Sequence, residues 1–266
     1  MKERGRSSNR GGGLRLRPPR GRVLVGRRAV MEALRARPGG IETLYFDPGA
    51  GRRAPSFMEV LAAAEAAGVR TRPAAAADLN AMSGAVPHQG VVAVLTAADP
   101  VSLDAFLKTC LPDHPQILVL ADSVLDPHNL GAIIRAAECF GAGAVVWSRN
   151  RGCQLSAAAR KASAGASEVT TCIAVSNLAE GLTKIKAANF WAVAADCAPE
   201  AEDASLFRFP PRTALVLGSE GEGLRPLTLK RCDYRIRIPM SGRIASLNVS
   251  QAAAVLLANY RSQFKQ

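Results

Sequence analysis

The side chains best suited to chemistry lie in three stretches far apart in the chain. NLGAIIR (129–135) sets the amide of Asn129 and the guanidinium of Arg135 six residues apart. GSEGEGL (218–224) opens on Gly218 and places Glu220 between glycines. Ser246, Leu247 and Asn248 open an alanine-rich run near the C-terminus. An arginine stays protonated in proteins, so it can serve as a donor to an anion but not as a base. The carboxylate-bearing loop suits a neutral or cationic ligand with hydroxyls and amines, and the amide of Asn248 can face a ligand. Loops of small residues let the backbone itself close on a ligand.

Each stretch also admits an ordinary structural reading. Leu130, Ile133, Ile134 and Ala137 recur at helical spacing, so they form the core stripe of a helix over 129–140, with Asn129 after DPH (126–128) as its cap. Gly131, Arg135 and Glu138 share another face, kept thin by Gly131 and open to something bulky. GSEGEGL is neither GxGxxG nor a GxxxxGK[ST] phosphate loop, and its two glutamates would repel a pyrophosphate. It either holds a neutral or cationic ligand or simply feeds a helix over 225–230. Ser246 is expected to cap the last helix, which packs through Val249, Ala253, Leu256 and Tyr260. That leaves Asn248 in the first turn to face a ligand. Gly141 and Gly143 follow a helix and precede a strand, the wrong order for a dinucleotide fingerprint, so they mark a turn.

The elements that must position these groups alternate between strand and helix. Residues 1–20 are a low-complexity basic tail. Residues 21–98 read as a small α/β domain: a strand and helix in VLVGRRAVMEALRA, a strand at 41–46, a helix ending at Gly68, a short strand near 69–71 and a strand at 91–96. Residues 99–115, with prolines and one weak helical turn, read as a linker. Residues 116–266 open on QILVLAD, an apolar run of the kind buried in a parallel sheet. Five or six strands with intervening helices follow, giving a mostly parallel open α/β sheet, in which ligands bind at the carboxyl ends of the strands.

Charge and cysteine usage narrow the partners. The chain carries a net charge of +12, of which residues 1–28 supply +9. Such a segment binds polyanions by counterion release, and RNA, DNA or an anionic membrane would each satisfy it. Six cysteines without CxxC spacing suit a reducing cytoplasm. Three scattered histidines give no metal-ligand pattern. No apolar run approaches the roughly 18 residues that span a bilayer, and the arginine-rich start lacks the apolar core of a secretory signal.

In chain order, NLGAIIRAAECFGAGAVV, LVLGSEGEGL and IRIPMSGRIASLNVSQAAAVLLANY resemble the three motifs of the SpoU/TrmH family of RNA ribose 2′-O-methyltransferases. VGRRAVMEAL and HQGVVA resemble the substrate-binding domain of its two-domain members, an arrangement similar to the bacterial 23S rRNA guanosine 2′-O-methyltransferases. Arg27 and Arg28 stand where an aromatic- or histidine-containing turn is often seen. The resemblance implies a carboxyl-terminal SPOUT domain with a deep trefoil knot, preceded by a small L30e-like α/β domain. The general rarity of knotted chains would by itself give an unknotted sheet. The resemblance further implies methyl transfer from S-adenosylmethionine to a ribose 2′-hydroxyl without a metal, in a cytoplasmic homodimer acting on 23S rRNA or a large-subunit precursor. Backbone groups at Gly218, Ile238 and Leu247 would hold the cofactor. Asn129, Arg135, Glu220, Ser246 and Asn248 match the active-site positions. The same chemistry on tRNA or another rRNA site is the alternative within the enzyme class. A ribosome-associated RNA-binding protein without catalysis is the alternative outside it.

Overall fold

A computed structural model describes residues 22–50, 54–84, 86–96, 101–112, 114–219, 221–243 and 246–264. The basic tail lies outside the described residues.

The first unit runs β1 (Val23–Val25), α1 (Arg27–Ala36), β2 (Ile41–Phe46), α2 (Pro55–Ala66), β3 (Thr71–Pro73), α3 (Ala76–Ser83) and β4 (Val91–Leu95). Its sheet has the order β1-β4-β2-β3, with β4 antiparallel to both neighbours and β3 parallel to β2. The third strand falls two residues later than its apolar pattern suggests. Val69 packs against the core cluster, while Thr71–Pro73 makes the ladder to β2.

The second unit runs α4 (Leu103–Leu107), β5 (Gln116–Ala121), α5 (Pro127–Cys139), β6 (Ala144–Ser148), α6 (Ala157–Ala162), β7 (Thr171–Val175), α7 (Leu178–Ala187), β8 (Trp191–Ala195), β9 (Glu202–Asp203), β10 (Arg212–Leu217), α8 (Pro226–Lys230), β11 (Tyr234–Arg237) and α9 (Val249–Gln263). Seven strands, all parallel, lie in the order β7-β6-β5-β10-β8-β11-β9. The strand beyond the expected five or six is β9, two acidic residues with no apolar signature.

Alternate residues of β5 face opposite layers, as the pleat requires. Ile117, Val119 and Ala121 meet α5 and α9 through Leu130, Ile134, Leu256 and Tyr260. Leu118 and Leu120 meet α4 and α7 through Phe106, Leu178 and Ile185. Segment 103–107, expected in a linker, therefore belongs to this core, because Leu103 and Phe106 are buried in it.

The two units touch. A Cβ on Gly165 would lie 2.6 Å from Glu32 Cβ and 3.0 Å from the Ala29 carbonyl oxygen of α1. Lys161 Nζ donates to the Pro87 carbonyl at 2.7 Å.

Candidate functional site

Three loops leave the carboxyl ends of β8, β10 and β11 and enclose a cavity of about 570 Å³. The strand order reverses here, since β10 lies between β5 and β8, and open α/β sheets bind ligands at such a point. Leu217, Ile236, Ile238 and Leu256 give the cavity apolar walls, and Asp196, Ser219 and Glu222 supply polar ones.

The loop after β10 is a tight turn. Ser219 N–H donates to the Gly223 carbonyl at 3.0 Å, and Gly223 N–H returns to the Ser219 carbonyl at 3.1 Å. Gly221 and Gly223 have φ of +89° and +67°, which a side chain would strain. Gly218 is required for a different reason: a Cβ there would sit 2.3 Å from the Gly223 carbonyl carbon and 2.5 Å from Leu224 N. The strand must bring its backbone against the returning loop, and no side chain fits between them.

Gly218, Ile238 and Leu247 all line the cavity. Their backbone N–H and C=O groups make no hydrogen bond to other backbone among the described residues. Donors and acceptors are thus left for a ligand on three sides of one space. Ser246 is exposed and lines the same cavity.

The structure brings Asn129 and Asn248 together, although 119 residues separate them: Asn248 Nδ2 donates to Asn129 Oδ1 at 2.9 Å. It also corrects both expected caps. Helix α5 begins at Pro127, and Asp126 caps it by accepting from His128 N–H at 2.8 Å. Proline is preorganised for the first helical position, so the cap falls just before it. Asn129 therefore sits inside the first turn. The cap of α9 is Asn248, whose Oδ1 accepts from Ser250 N–H at 2.9 Å and from Ser250 Oγ at 2.6 Å. Asn248 both caps and reaches across to α5, and Ser246 precedes the helix.

The face kept thin by Gly131 is not open. A Cβ there would meet the Ala159 carbonyl oxygen at 2.3 Å and Ala162 Cβ at 2.6 Å, so the bulky neighbour is α6. Arg135 lies exposed on α5, outside the cavity wall, and its side chain makes no hydrogen bond or ion pair with the described residues. Glu220 lies outside the described residues.

Sequence reasoning missed Asp196 and Cys197, which line the cavity after β8. The Asp196 carboxylate is fixed by the N–H groups of Cys197 at 2.8 Å and Ala198 at 3.3 Å. It also missed Asp122 at the end of β5, whose carboxylate pairs with Arg225. The available signal was position, a charged residue just past a parallel strand. Among the described residues, no group of three His, Cys, Asp or Glu is placed to hold a metal ion.

The site suits S-adenosylmethionine in its chemistry. The volume falls in the range of roughly 300–1,000 Å³ usual for small-molecule sites. Apolar walls fit an adenine, carboxylates fit ribose hydroxyls and a cationic group, and the free backbone groups are of the type that could give the remaining polar contacts.

Residues 116–258 match the SpoU rRNA Methylase family, and residues 23–101 match the RNA 2′-O ribose methyltransferase substrate-binding family. The chain is 40% identical over 239 residues to the 23S rRNA (guanosine-2′-O-)-methyltransferase RlmB of Ralstonia nicotianae, covering 89% of this chain and 93% of that one. A solved RNA 2′-O ribose methyltransferase superposes with a TM-score of 0.73 at 28% identity, covering 92% of this chain and 89% of the other. The SpoU methyltransferase AviRb of Streptomyces viridochromogenes, solved with AdoMet, shares the fold with a TM-score of 0.72 at 24% identity, covering 91% and 90%.

Proposed function

The chain belongs to the SpoU rRNA methylase family, and we propose that it transfers a methyl group from S-adenosylmethionine to a ribose 2′-hydroxyl of 23S rRNA, at a guanosine. The observation that carries this reading is the cavity itself. Unpartnered backbone at Gly218, Ile238 and Leu247 lines it, and the Asn129–Asn248 pair stands beside it. The match of the substrate-binding family over residues 23–101 and the name of the Ralstonia relative support RNA, and 23S rRNA within it.

S-adenosylmethionine supplies an electrophilic methyl group on a sulfonium. The chain's own task is to bind it, to hold the ribose hydroxyl in line with the methyl group and to favour departure of the hydroxyl proton. Gly218, Ile238 and Leu247 bind through backbone. Ser246, Asn129 and Asn248 orient the ribose, and Asn248 is itself held by α9. Arg135 stays protonated and donates to the target phosphate or the developing alkoxide. Glu220 fixes that arginine or the ribose.

The same proposal includes a homodimer, a trefoil knot in the carboxyl-terminal half and a cytoplasmic setting. The exposure of Arg135 outside the cavity wall supports a site completed by a second copy. The strand order supports the knot, since the chain passes from β10 beyond β8 to β11 and returns to the β5 side as α9. Among the described residues no helix is long and apolar enough to cross a membrane.

The test is transfer of labelled methyl from S-adenosylmethionine to size-separated RNA and to immature large subunits. Label in 23S rRNA is expected. Label in tRNA alone would keep the chemistry and overturn the substrate, and S-adenosylmethionine binding without label anywhere would favour an RNA-binding protein.

A further inference from the structure

Asp122 closes β5 with no exposed surface, the one carboxylate among the described residues buried so completely. Arg225 Nε donates to its Oδ1 at 2.7 Å, and the Arg225 backbone N–H donates to its Oδ2 at 3.3 Å. Ser123 Oγ adds a third hydrogen bond at 3.3 Å, from a residue with φ of +59°. We propose that the Asp122–Arg225 pair is a positioning device that fixes where the loop after β10 leaves and rejoins the fold, holding its described residues, 218–219 and 221–224, in the shape that binds S-adenosylmethionine. The inference rests on the methyltransferase reading and deepens it.

Apart from Leu224, which packs against the apolar layer containing Phe106 and Leu118, the described residues of the loop have little else to fix them. Its described residues are exposed or half-buried, and the reciprocal Ser219–Gly223 bonds hold the turn to itself rather than to the sheet. Attachment comes from its two ends. Leu217 enters from β10, where its carbonyl accepts from Asp122 N–H at 2.8 Å. Arg225 leaves toward α8, gripped by the Asp122 carboxylate through side chain and backbone together. One residue therefore binds both ends of the loop. Asp122 also begins the short connection to Asp126 and α5, which carries Asn129. The cofactor loop and the helix bearing the ribose-orienting asparagine share a single buried anchor.

Fold stability is a poor reason for such a pair. Desolvating both ions offsets much of their attraction, and well-packed apolar residues usually serve as well or better. What apolar residues cannot supply is a directional bond to the Arg225 N–H, which sets where the loop exits.

The test compares wild type, Asp122→Asn, Arg225→Met and the double variant Asp122→Leu/Arg225→Met by calorimetric titration with S-adenosylmethionine and by urea unfolding. Asp122→Asn is expected to weaken binding about tenfold or more, as a small displacement of a binding loop does. The apolar double variant is expected to recover the urea midpoint and not the affinity. Recovery of both, or single variants that lose stability yet bind like wild type when folded, overturns the inference and leaves a purely structural pair. If the double variant does not fold, Asp122→Asn decides, since it keeps the volume and one acceptor oxygen while turning the other into a donor. Wild type that fails to bind S-adenosylmethionine overturns this inference and the proposed function together. Wild-type binding that all variants retain overturns this inference alone.

Discussion

Replacing Gly218 by alanine is expected to damage cofactor binding far more than any other glycine change in the same loop. The new methyl group would lie 2.3 Å from the Gly223 carbonyl carbon, 2.5 Å from Leu224 N and 2.6 Å from the Gly223 oxygen. Carbon atoms rest at about 3.5–4.0 Å, so strand and loop must part by more than about 1 Å. All three neighbours are backbone, and none can swing aside. Overpacking of this kind costs about 1–3 kcal/mol, and a displacement of about 1 Å at a site can cost about 100-fold in rate. Gly223→Ala is the control. Its Cβ meets nothing within 4 Å, and its cost is the left-handed backbone at φ +67°, about 1–2 kcal/mol. Calorimetric titration with S-adenosylmethionine, paired with urea unfolding, separates the two effects. Gly218→Ala should lose affinity in the folded protein, whereas Gly223→Ala should lose mainly stability. Wild-type affinity in Gly218→Ala would refute the claim that this close approach shapes the cofactor wall.

Asn248→Ala removes the cap of α9 and the bond to Asn129, and urea unfolding should register a loss of about 1–2 kcal/mol. Asn248→Asp keeps a capping oxygen but loses the amide donor to Asn129, so it should recover only the capping share of the stability while methyl transfer stays low. Burial pushes the thiols of Cys172 and Cys232 up to about 12, and it raises the Tyr260 hydroxyl as well. The folded state thus holds these protons more tightly than the unfolded chain. The stability they contribute is fully present below about pH 9 and is lost as pH rises toward 12, at up to about 1.4 kcal/mol per pH unit for each group. Alkaline unfolding measured with Cys172→Val should show a shallower slope. Cys139 and Cys197 are exposed, so a thiol reagent should label them first in the native protein. S-adenosylmethionine should protect Cys197, which lines the cavity, and not Cys139; peptide mapping after labelling would show both.

Much of the fold is legible because burial leaves a period in the sequence. QILVLA reads as a strand covered on both faces, and all but its first residue is buried. The stripe of Leu130, Ile133, Ile134 and Ala137 is the buried face of α5. The polar details were harder, because neighbouring residues compete for one role. Asp126, Asn129, Ser246 and Asn248 are all good caps by type, and tertiary placement chose between them. Pro127 favoured Asp126, and the reach across to Asn129 accompanies the choice of Asn248. β9 carries no apolar period because its two acidic residues pair with β11 through backbone alone. The Asp122–Arg225 pair joins residues 103 apart, a separation that no local pattern encodes. The ends of parallel strands were nonetheless the right place to look, since Asp122, Asp196 and Gly218 all lie just past one.

Methylation of a ribose 2′-hydroxyl by this chain is expected to depend on Arg135. Mass analysis of nucleosides from 23S rRNA or immature large subunits, incubated with S-adenosylmethionine and either wild type or Arg135→Ala, tests it most directly. The Arg135 side chain is exposed and makes no hydrogen bond or ion pair with the described residues, so its loss should change stability by less than about 0.5 kcal/mol. The yield of 2′-O-methylguanosine should fall by about 100- to 1,000-fold. Equal yields from the two proteins would contradict the role of Arg135, and no 2′-O-methylated nucleoside from wild type on either substrate would contradict the account as a whole.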